Sequence, residues 1–394
     1  MILLFNTQTC QRCGTCLEQC PFLHLHVENA KKEIIKMIET RNSRKILKSC
    51  ASCSYCNVIC PTGSNPYDLI REIRLSNYKE NGVRCTSIIM EEMPYNLMDI
   101  GLEIGSEEKK RDLLMYEQPL KNEMMYYVGC AIPYCFPDLA KTTLFNDLPL
   151  LGGMKYCCGG FVHSCFGNDE SQIYGSQLND KFKNLGVEKL ITFCPGCDLM
   201  IRGVYPSIID NFAVEGQTII DYLIERYHKG ELNFKNKIAK RITFQDPCPW
   251  RNLDSKIYNG PREFLEIIGA EVVEMKHNKE HSMCCGAPLS IGNPTLAANI
   301  ANERVAEAED VNAEFIAHIC TGCLTTLSKY ATEKNIESYY ITELAQIAIG
   351  ETPSRKILEN AKVLQQQVIK TISKNPNILK DRYILKSGKI NRLK

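Results

Sequence analysis

At 394 residues the chain is long enough for two or three domains with buried cores. Its 47 basic and 46 acidic residues balance to +1, which gives no electrostatic case for nucleic acid or a membrane surface as partner. The 21 cysteines are the outlier, and they recur at two- and three-residue intervals that suit metal sites better than the disulfide frameworks of short exported chains.

The opening Met1-Ile2-Leu3-Leu4-Phe5 lacks a basic leader and a small-residue cleavage site and runs straight into Cys10. A reducing cytoplasm is therefore expected. No apolar run approaches the roughly 18 residues of a membrane span, so peripheral membrane contact is expected only through a partner.

Residues 1–66 carry Cys10-x2-Cys13-x2-Cys16-x3-Cys20-Pro21 and its repeat Cys50-x2-Cys53-x2-Cys56-x3-Cys60-Pro61. This is the bacterial-ferredoxin spacing for two [4Fe-4S] clusters, in which the fourth cysteine of each run serves the other cluster. Cys10, Cys13, Cys16 and Cys60 are expected on one cubane, and Cys50, Cys53, Cys56 and Cys20 on the other. Zinc would explain two Cys-x-x-Cys pairs, but not a third cysteine in phase, a fourth three residues on and a proline, all occurring twice. Between the runs, Ile34-Ile35-x-Met37-Ile38 has helical periodicity and predicts an insertion in place of a short hairpin.

Residues 67–123 turn charged and helical and read as a connector. Its one cysteine, Cys85, is expected to be a small buried hydrophobe.

Residues 124–235 and 236–350 read as a duplication. Cys157-Cys158-Gly159 recurs as Cys284-Cys285-Gly286, and Cys194-x-x-Cys197 as Cys320-x-x-Cys323, about 126 residues apart. With Cys130 and Cys248 upstream, each set holds five thiols, one more than a tetrahedral zinc site or an ordinary cubane uses. Neighbouring side chains on an extended backbone point apart. A vicinal pair therefore reaches one metal group only if the chain wraps it or a thiolate bridges two irons, and the following glycine permits such a wrap.

In the first half the strand Tyr126-Tyr127-Val128 feeds Cys130. A helix through Tyr174, Leu178, Phe182 and Leu185 then stops at Gly186, before Leu190-Ile191-Thr192-Phe193 feeds Cys194. In the second half Ile242-Thr243-Phe244 delivers Cys248, a helix near 261–268 ends at Gly269, and Val272-Val273 leads toward Cys284. Asn293 then caps a helix opened by Pro294, and Phe315-Ile316-Ala317 runs into Cys320. The expected fold is an α+β ferredoxin-like, helical N-terminal module followed by duplicated α/β Cys-Cys-Gly domains, with thiols beyond the carboxyl ends of strands. Residues 351–394, with 11 basic and three acidic side chains, read as an amphipathic helix around 357–372 and a loose basic tail.

Eight ferredoxin cysteines followed by two Cys-Cys-Gly domains resemble the catalytic iron–sulfur subunit of heterodisulfide reductase, in the form that joins both parts in one chain. Asp246-Pro247-Cys248-x-x-Arg251 is similar to that family's version of the segment. The resemblance covers about residues 1–350. It implies two noncubane [4Fe-4S] clusters beside the two cubanes, one on Cys130, Cys157, Cys158, Cys194 and Cys197 and the other on Cys248, Cys284, Cys285, Cys320 and Cys323. In the first set Cys135 competes with Cys130, which is preferred because it follows its strand as Cys248 does.

By the same resemblance the substrate is a mixed disulfide of the coenzyme M–coenzyme B type, as in methane-forming archaea, split by electrons that arrive through the ferredoxin clusters. The implied donors within a larger complex are a flavin-containing subunit, a hydrogenase or dehydrogenase module, or a membrane cytochrome b. The layout also resembles subunits of thiol-driven fumarate reductase and of complexes that oxidise glycerol 3-phosphate, glycolate or lactate, in which a flavin on another chain would handle the carbon substrate while this chain carries electrons or meets a quinone. A non-catalytic maturation or scaffold role is the third reading. His163 and His281 are candidate proton donors, with Cys165 and His318 nearby. Lys155 and Arg251 are candidates to meet an anionic substrate tail, and Trp250 is expected in the core.

Overall fold

The computed structural model describes residues 4–84, 91–93, 95–105, 107–116, 118–290 and 292–393, so Cys85 lies outside the described residues. The chain divides into two compact units. One is Met1–Ser76 with Ile238–Tyr340; the other is Asn77–Lys237 with Ile341–Lys394.

In the first unit the ferredoxin-like segment is helical. Among its described residues no strand forms, and the elements are Thr15–Glu18, Val27–Thr40, Arg44–Ser49, Tyr55–Val58 and the start of Pro66–Asn81. The β component of the expected α+β module is therefore absent there, because the inter-motif insertion folds as two helices instead of a hairpin. Ile34, Met37 and Ile46 of those helices pack on Leu17, Leu69, Ile70 and Ile73.

The remainder of this unit is a four-stranded parallel sheet in the order Glu271–Val272, Arg241–Gln245, Phe315–His318, Glu337–Tyr340. Ile242 pairs with Phe315, Gln245 with His318, and His318 with Tyr340. Ile242, Thr243 and Phe244 are all buried in succession, the mark of a parallel strand covered on both faces. The helix Pro294–Asp310 is capped as expected, with the Asn293 side chain accepting from the Leu296 amide at 3.3 Å. Its Ala301, Val305 and Ala308 pack on Ile316 and on Leu327 of helix Thr321–Glu333.

The second unit repeats the sheet, with parallel strands in the order Leu150–Gly152, Met124–Gly129, Lys189–Thr192, Glu215–Thr218. Met125 and Tyr127 of the central strand face Leu178 and Phe182 of helix Gly160–Asn184. Tyr126 points the other way and stacks on Phe145 at 4.2 Å. In both sheets the first and third strands are central neighbours while the second and fourth lie outside. Connections leave a central pair of this kind in opposite directions and open a crevice at its carboxyl end, the usual ligand position of an open α/β sheet.

The C-terminal segment is more ordered than its composition suggests. Helix Ile357–Lys374 is followed by a hairpin, Arg382–Lys386 with Lys389–Leu393, and the first of these strands pairs with Val83–Arg84. Ser387 and Gly388, with φ of 51° and 72°, form the two-residue left-handed turn that matches hairpin twist. Tyr383 and Leu385 pack on Val83, Val162 and Phe166. In place of the expected loose tail, residues 376–393 complete a small sheet over the helix that follows Cys158.

Candidate metal centres

The two ferredoxin-type runs fold alike. The residue after each second cysteine, Gly14 or Ser54, is left-handed (φ 82° and 58°) and opens a one-turn helix carrying the third cysteine. Arg12 and Ser52, one residue before those cysteines, are left-handed too. This double reversal turns thiols three residues apart toward a common point. A Cβ on Gly14 would stand 2.6 Å from the Lys31 amide nitrogen, so glycine is required there, whereas Ser54 has room.

The thiols are crossed between the runs. Burial, then Cys60, Cys10 and Cys13, push the Cys16 thiol up to about 12. Burial also raises Cys20 to about 12, and the thiols acting on it are Cys53 and Cys50. Cys56 is raised by burial and by Cys50, with Cys16, Cys53 and Cys20 contributing less. Amides already point at two of the sulfurs, Ser52 N to Cys50 Sγ at 3.4 Å and Ser64 N to Cys60 Sγ at 3.3 Å. Such donors stabilise thiolates and the clusters bound to them.

Each sheet brings five thiols together in the same order. In the second unit hydrogen-bonded contacts run from Cys130 to Cys157, Cys157 to Cys158, Cys158 to Cys197 and Cys197 to Cys194. In the first unit they run from Cys248 to Cys284, Cys284 to Cys285, Cys285 to Cys323 and Cys323 to Cys320. The upstream and Cys-x-x-Cys members sit at the carboxyl ends of the two central strands, at the crevice the topology opens. Hydrogen bonds shared with neighbouring thiols, then burial and mutual repulsion, raise Cys323 and Cys197 well above a free thiol, while the same kind of hydrogen bond lowers Cys157 and Cys285. Five neighbouring thiols, three of them buried and two half-buried in each set, fit a cationic metal group that would ionise them all. Among the described residues no three or more Cys, His, Asp or Glu side chains are placed to hold a single metal ion. A multi-iron cluster instead takes its thiolates around its outside.

The Cys-Cys turn is wrapped as the glycines predict. Gly159 and Gly286 are left-handed, with φ of 70° and 86°. A Cβ on Gly159 would meet the Tyr174 ring at 2.6 Å, and one on Gly286 would meet the Ala297 carbonyl at 2.8 Å. Three phenols fix the first turn by donating to successive carbonyls: Tyr127 to Tyr156 at 2.5 Å, Tyr174 to Cys157 at 3.2 Å and Tyr205 to Cys158 at 2.6 Å. The second turn is braced by a buried Arg304, whose guanidinium reaches Gln245 Oε1 at 2.6 Å and Ser282 Oγ at 3.1 Å. Sequence reasoning missed these tyrosines and Arg304, since nothing local marks them as partners of the turn.

Other candidates are redistributed. Cys135 is buried in the helix Ile132–Cys135 beyond Cys130, and Cys165 packs with Val162 and Phe166. His163 Nδ1 lies 3.3 Å from Ser171 Oγ, and His281 is exposed at the end of a one-turn helix. His318 is fully buried, and burial with the Arg304 charge holds it down to about 3, so it is neutral. Trp250 lies in the core beside Phe244 and Tyr258. Lys155 stacks its ammonium 5.5 Å from the Tyr156 ring centre. Arg251 commits three of its five N–H donors to the Glu280, Cys53 and Ser282 carbonyls, which ties its guanidinium to the protein backbone. A cleft of about 1260 Å³ in the second unit, walled by Tyr126, Phe145 and Lys141 among others, has no cysteine in its lining and is not part of these centres.

Residues 2–78 match the family described as a 4Fe-4S dicluster domain, and residues 124–202 and 242–328 each match the cysteine-rich domain. The chain belongs to the iron–sulfur oxidoreductases that join a dicluster domain to paired cysteine-rich domains. It is similar to the D-type subunit of the dihydromethanophenazine:CoB–CoM heterodisulfide reductase of Methanosarcina acetivorans, with 24% identity over 89% of this chain and 95% of that one. The corresponding subunit of Methanosarcina barkeri is 24% identical over 90% of this chain and 96% of its own length. An EtfAB:quinone oxidoreductase of Syntrophomonas wolfei is 25% identical over 81% of this chain, but only 42% of that protein is covered. The resemblance to the heterodisulfide reductase subunit thus spans nearly the whole of both chains. Among the described residues no helix is long and apolar enough to cross a membrane.

Proposed function

We propose that this chain reductively cleaves a mixed disulfide of the coenzyme M–coenzyme B type. Two electrons and two protons enter, the sulfur–sulfur bond breaks, and two thiols leave. The observation that carries the reading is the five-thiol chain, repeated in the same order at the crevice of both sheets. An electron carrier alone has no need of two such sets.

In this reading Cys130, Cys157, Cys158, Cys194 and Cys197 hold one noncubane [4Fe-4S] cluster, and Cys248, Cys284, Cys285, Cys320 and Cys323 hold another. Cys10, Cys13, Cys16 and Cys60 hold one cubane, and Cys20, Cys50, Cys53 and Cys56 the second. Bound clusters supply the one-electron steps that a two-electron reduction of a disulfide must be divided into. The protein's part is to bury the thiolates, fix the two Cys-Cys turns through the tyrosines and Arg304, and deliver protons. His163, held by Ser171, and His281, at the surface, are the proposed donors. The electron donor would be a flavin, hydrogenase or dehydrogenase subunit or a membrane cytochrome b, in a larger complex on the cytoplasmic side.

The test is oxidation of reduced methyl viologen by anaerobically purified protein, with and without the mixed disulfide. Disulfide-dependent oxidation is expected. No oxidation with any disulfide, together with co-purification of a flavin dehydrogenase, would leave electron transfer as the role, the reading favoured by the likeness to the quinone oxidoreductase.

A further inference from the structure

The second five-thiol set makes a contact outside itself. Cys284 hydrogen-bonds to Cys53 as well as to its own set, and the two lie in one buried cluster. Cys53 belongs to the second ferredoxin-type run. Ligands proposed for two different clusters are thus in contact, with no polypeptide between them. Phe22, Ala51, Leu289, Ala297 and Ile300 enclose the contact and keep water out.

Arg251 holds this junction together. It lies three residues after Cys248 in the one-turn helix Cys248–Asn252. Its Nε donates to the Glu280 carbonyl at 2.8 Å, Nη1 to the Cys53 carbonyl at 2.5 Å and Nη2 to the Ser282 carbonyl. The guanidinium carbon stands 5.5 Å from the centre of the Tyr55 ring, so the same group stacks on the helix that begins two residues after Cys53. Two of these carbonyls belong to the segment entering Cys284-Cys285, and the third to the ferredoxin-type loop. The first cysteine-rich domain has Pro133 at the matching place after Cys130, with neither donors nor charge.

We propose that Arg251 is a positioning residue that locks the second ferredoxin-type loop onto the second cysteine-rich site, so that electrons enter that site across the Cys53–Cys284 contact. A planar guanidinium can bridge three carbonyls and stack at once, which a lysine ammonium cannot. Its fixed charge also lies among the Cys53, Cys248 and Cys284 thiols, where it favours the reduced state of whatever iron group they hold. The inference rests on the proposed cluster assignment but not on the identity of the substrate.

The experiment uses the full chain, purified anaerobically with its clusters, and no disulfide. Redox titration followed by EPR on the unaltered protein should show magnetic interaction between one ferredoxin-type cluster and one cysteine-rich-site cluster. That interaction should survive Cys13→Ser, which damages the other ferredoxin-type cluster. Arg251→Met should weaken the interaction and move the midpoint of the ferredoxin-type cluster to a more negative potential. A tenfold loss of reduced fraction is expected, which is about 59 mV for a one-electron couple. Arg251→Lys should restore the midpoint without restoring the interaction. Two outcomes overturn the proposal: no magnetic interaction in the unaltered protein, or unchanged midpoint and interaction in both Arg251 variants. The first needs no variant, so instability of Arg251→Met does not shield the proposal. Interaction without disulfide cleavage would refute the proposed substrate and leave this junction standing.

Discussion

The Tyr205 hydroxyl donates to the carbonyl of Cys158 at 2.6 Å, across 47 residues of sequence and from a side chain that is fully buried. Without it the Cys158 carbonyl would face a protein interior with no water to replace the lost donor. Tyr205→Phe is therefore expected to cost about 1–3 kcal/mol, the usual penalty for stranding a buried polar group. Thermal unfolding should show the loss. Because the bond anchors the Cys-Cys turn, iron at the first cysteine-rich site should also be stripped by a chelator faster than iron at the second. Equal rates at both sites would show that the phenol serves the fold and not the metal centre.

The crossing of the ferredoxin-type runs gives a second expectation. Cys60 acts on Cys16, and Cys53 with Cys50 acts on Cys20, so each fourth cysteine sits with the opposite run. Intact protein should carry about sixteen irons, from four four-iron clusters. Cys20→Ser should disturb the EPR signal that Cys53→Ser also disturbs, and Cys60→Ser the one that Cys13→Ser disturbs. The reverse pattern would mean that each run closes its own cluster.

Most of the site was legible because cysteine spacing is a short-range signal. A run such as Cys10 to Cys20 must wind locally, and a Cys-Cys-Gly must turn at its glycine, whatever the rest of the chain does. The parallel strands were equally visible as short apolar runs ending at Cys130, Cys194, Cys248 and Cys320. What sequence reasoning could not see were long-range partners. Nothing near Tyr127, Tyr205 or Arg304 marks them as braces of a cysteine turn, and Arg251 read as a group reaching for substrate because its three carbonyl partners lie 29 to 198 residues away. The tail misled for a different reason. Its basic composition suggested solvated chain, while the Ser387-Gly388 turn and the alternation of Tyr383 and Leu385 specify a hairpin.

Gly286 supports a third prediction. Its φ of 86° is one that side chains rarely adopt, and a Cβ there would stand 2.8 Å from the backbone oxygen of Ala297, which cannot swing away as a side chain would. Gly286→Ala should destabilise by more than about 1 kcal/mol and lower iron content at the second cysteine-rich site. Gly292→Ala is the control, because a Cβ there meets nothing within 4 Å. Matching stability and iron in the two variants would show that the wrap tolerates a side chain after all.

The C-terminal hairpin supplies the last test. The Ser387 and Gly388 amides both donate to the Glu170 carboxylate, at 2.8 and 2.9 Å, and Glu170 lies on the helix that begins at Gly160, two residues after Cys158. Tyr383 and Leu385 cover Val162 and Phe166, which precede the kink at Gly167 that separates them from Glu170. Ending the chain after Lys374 would expose these apolar side chains and remove both amides, so the protein should lose thermal stability. Glu170→Gln keeps the shape but weakens two charge-assisted bonds, and should cost about 1 kcal/mol in all. If the basic hairpin serves only as a docking handle for an acidic partner, neither change will move the unfolding midpoint of the isolated protein. If it is the outer wall of the first cysteine-rich site, truncation will also speed the loss of iron there.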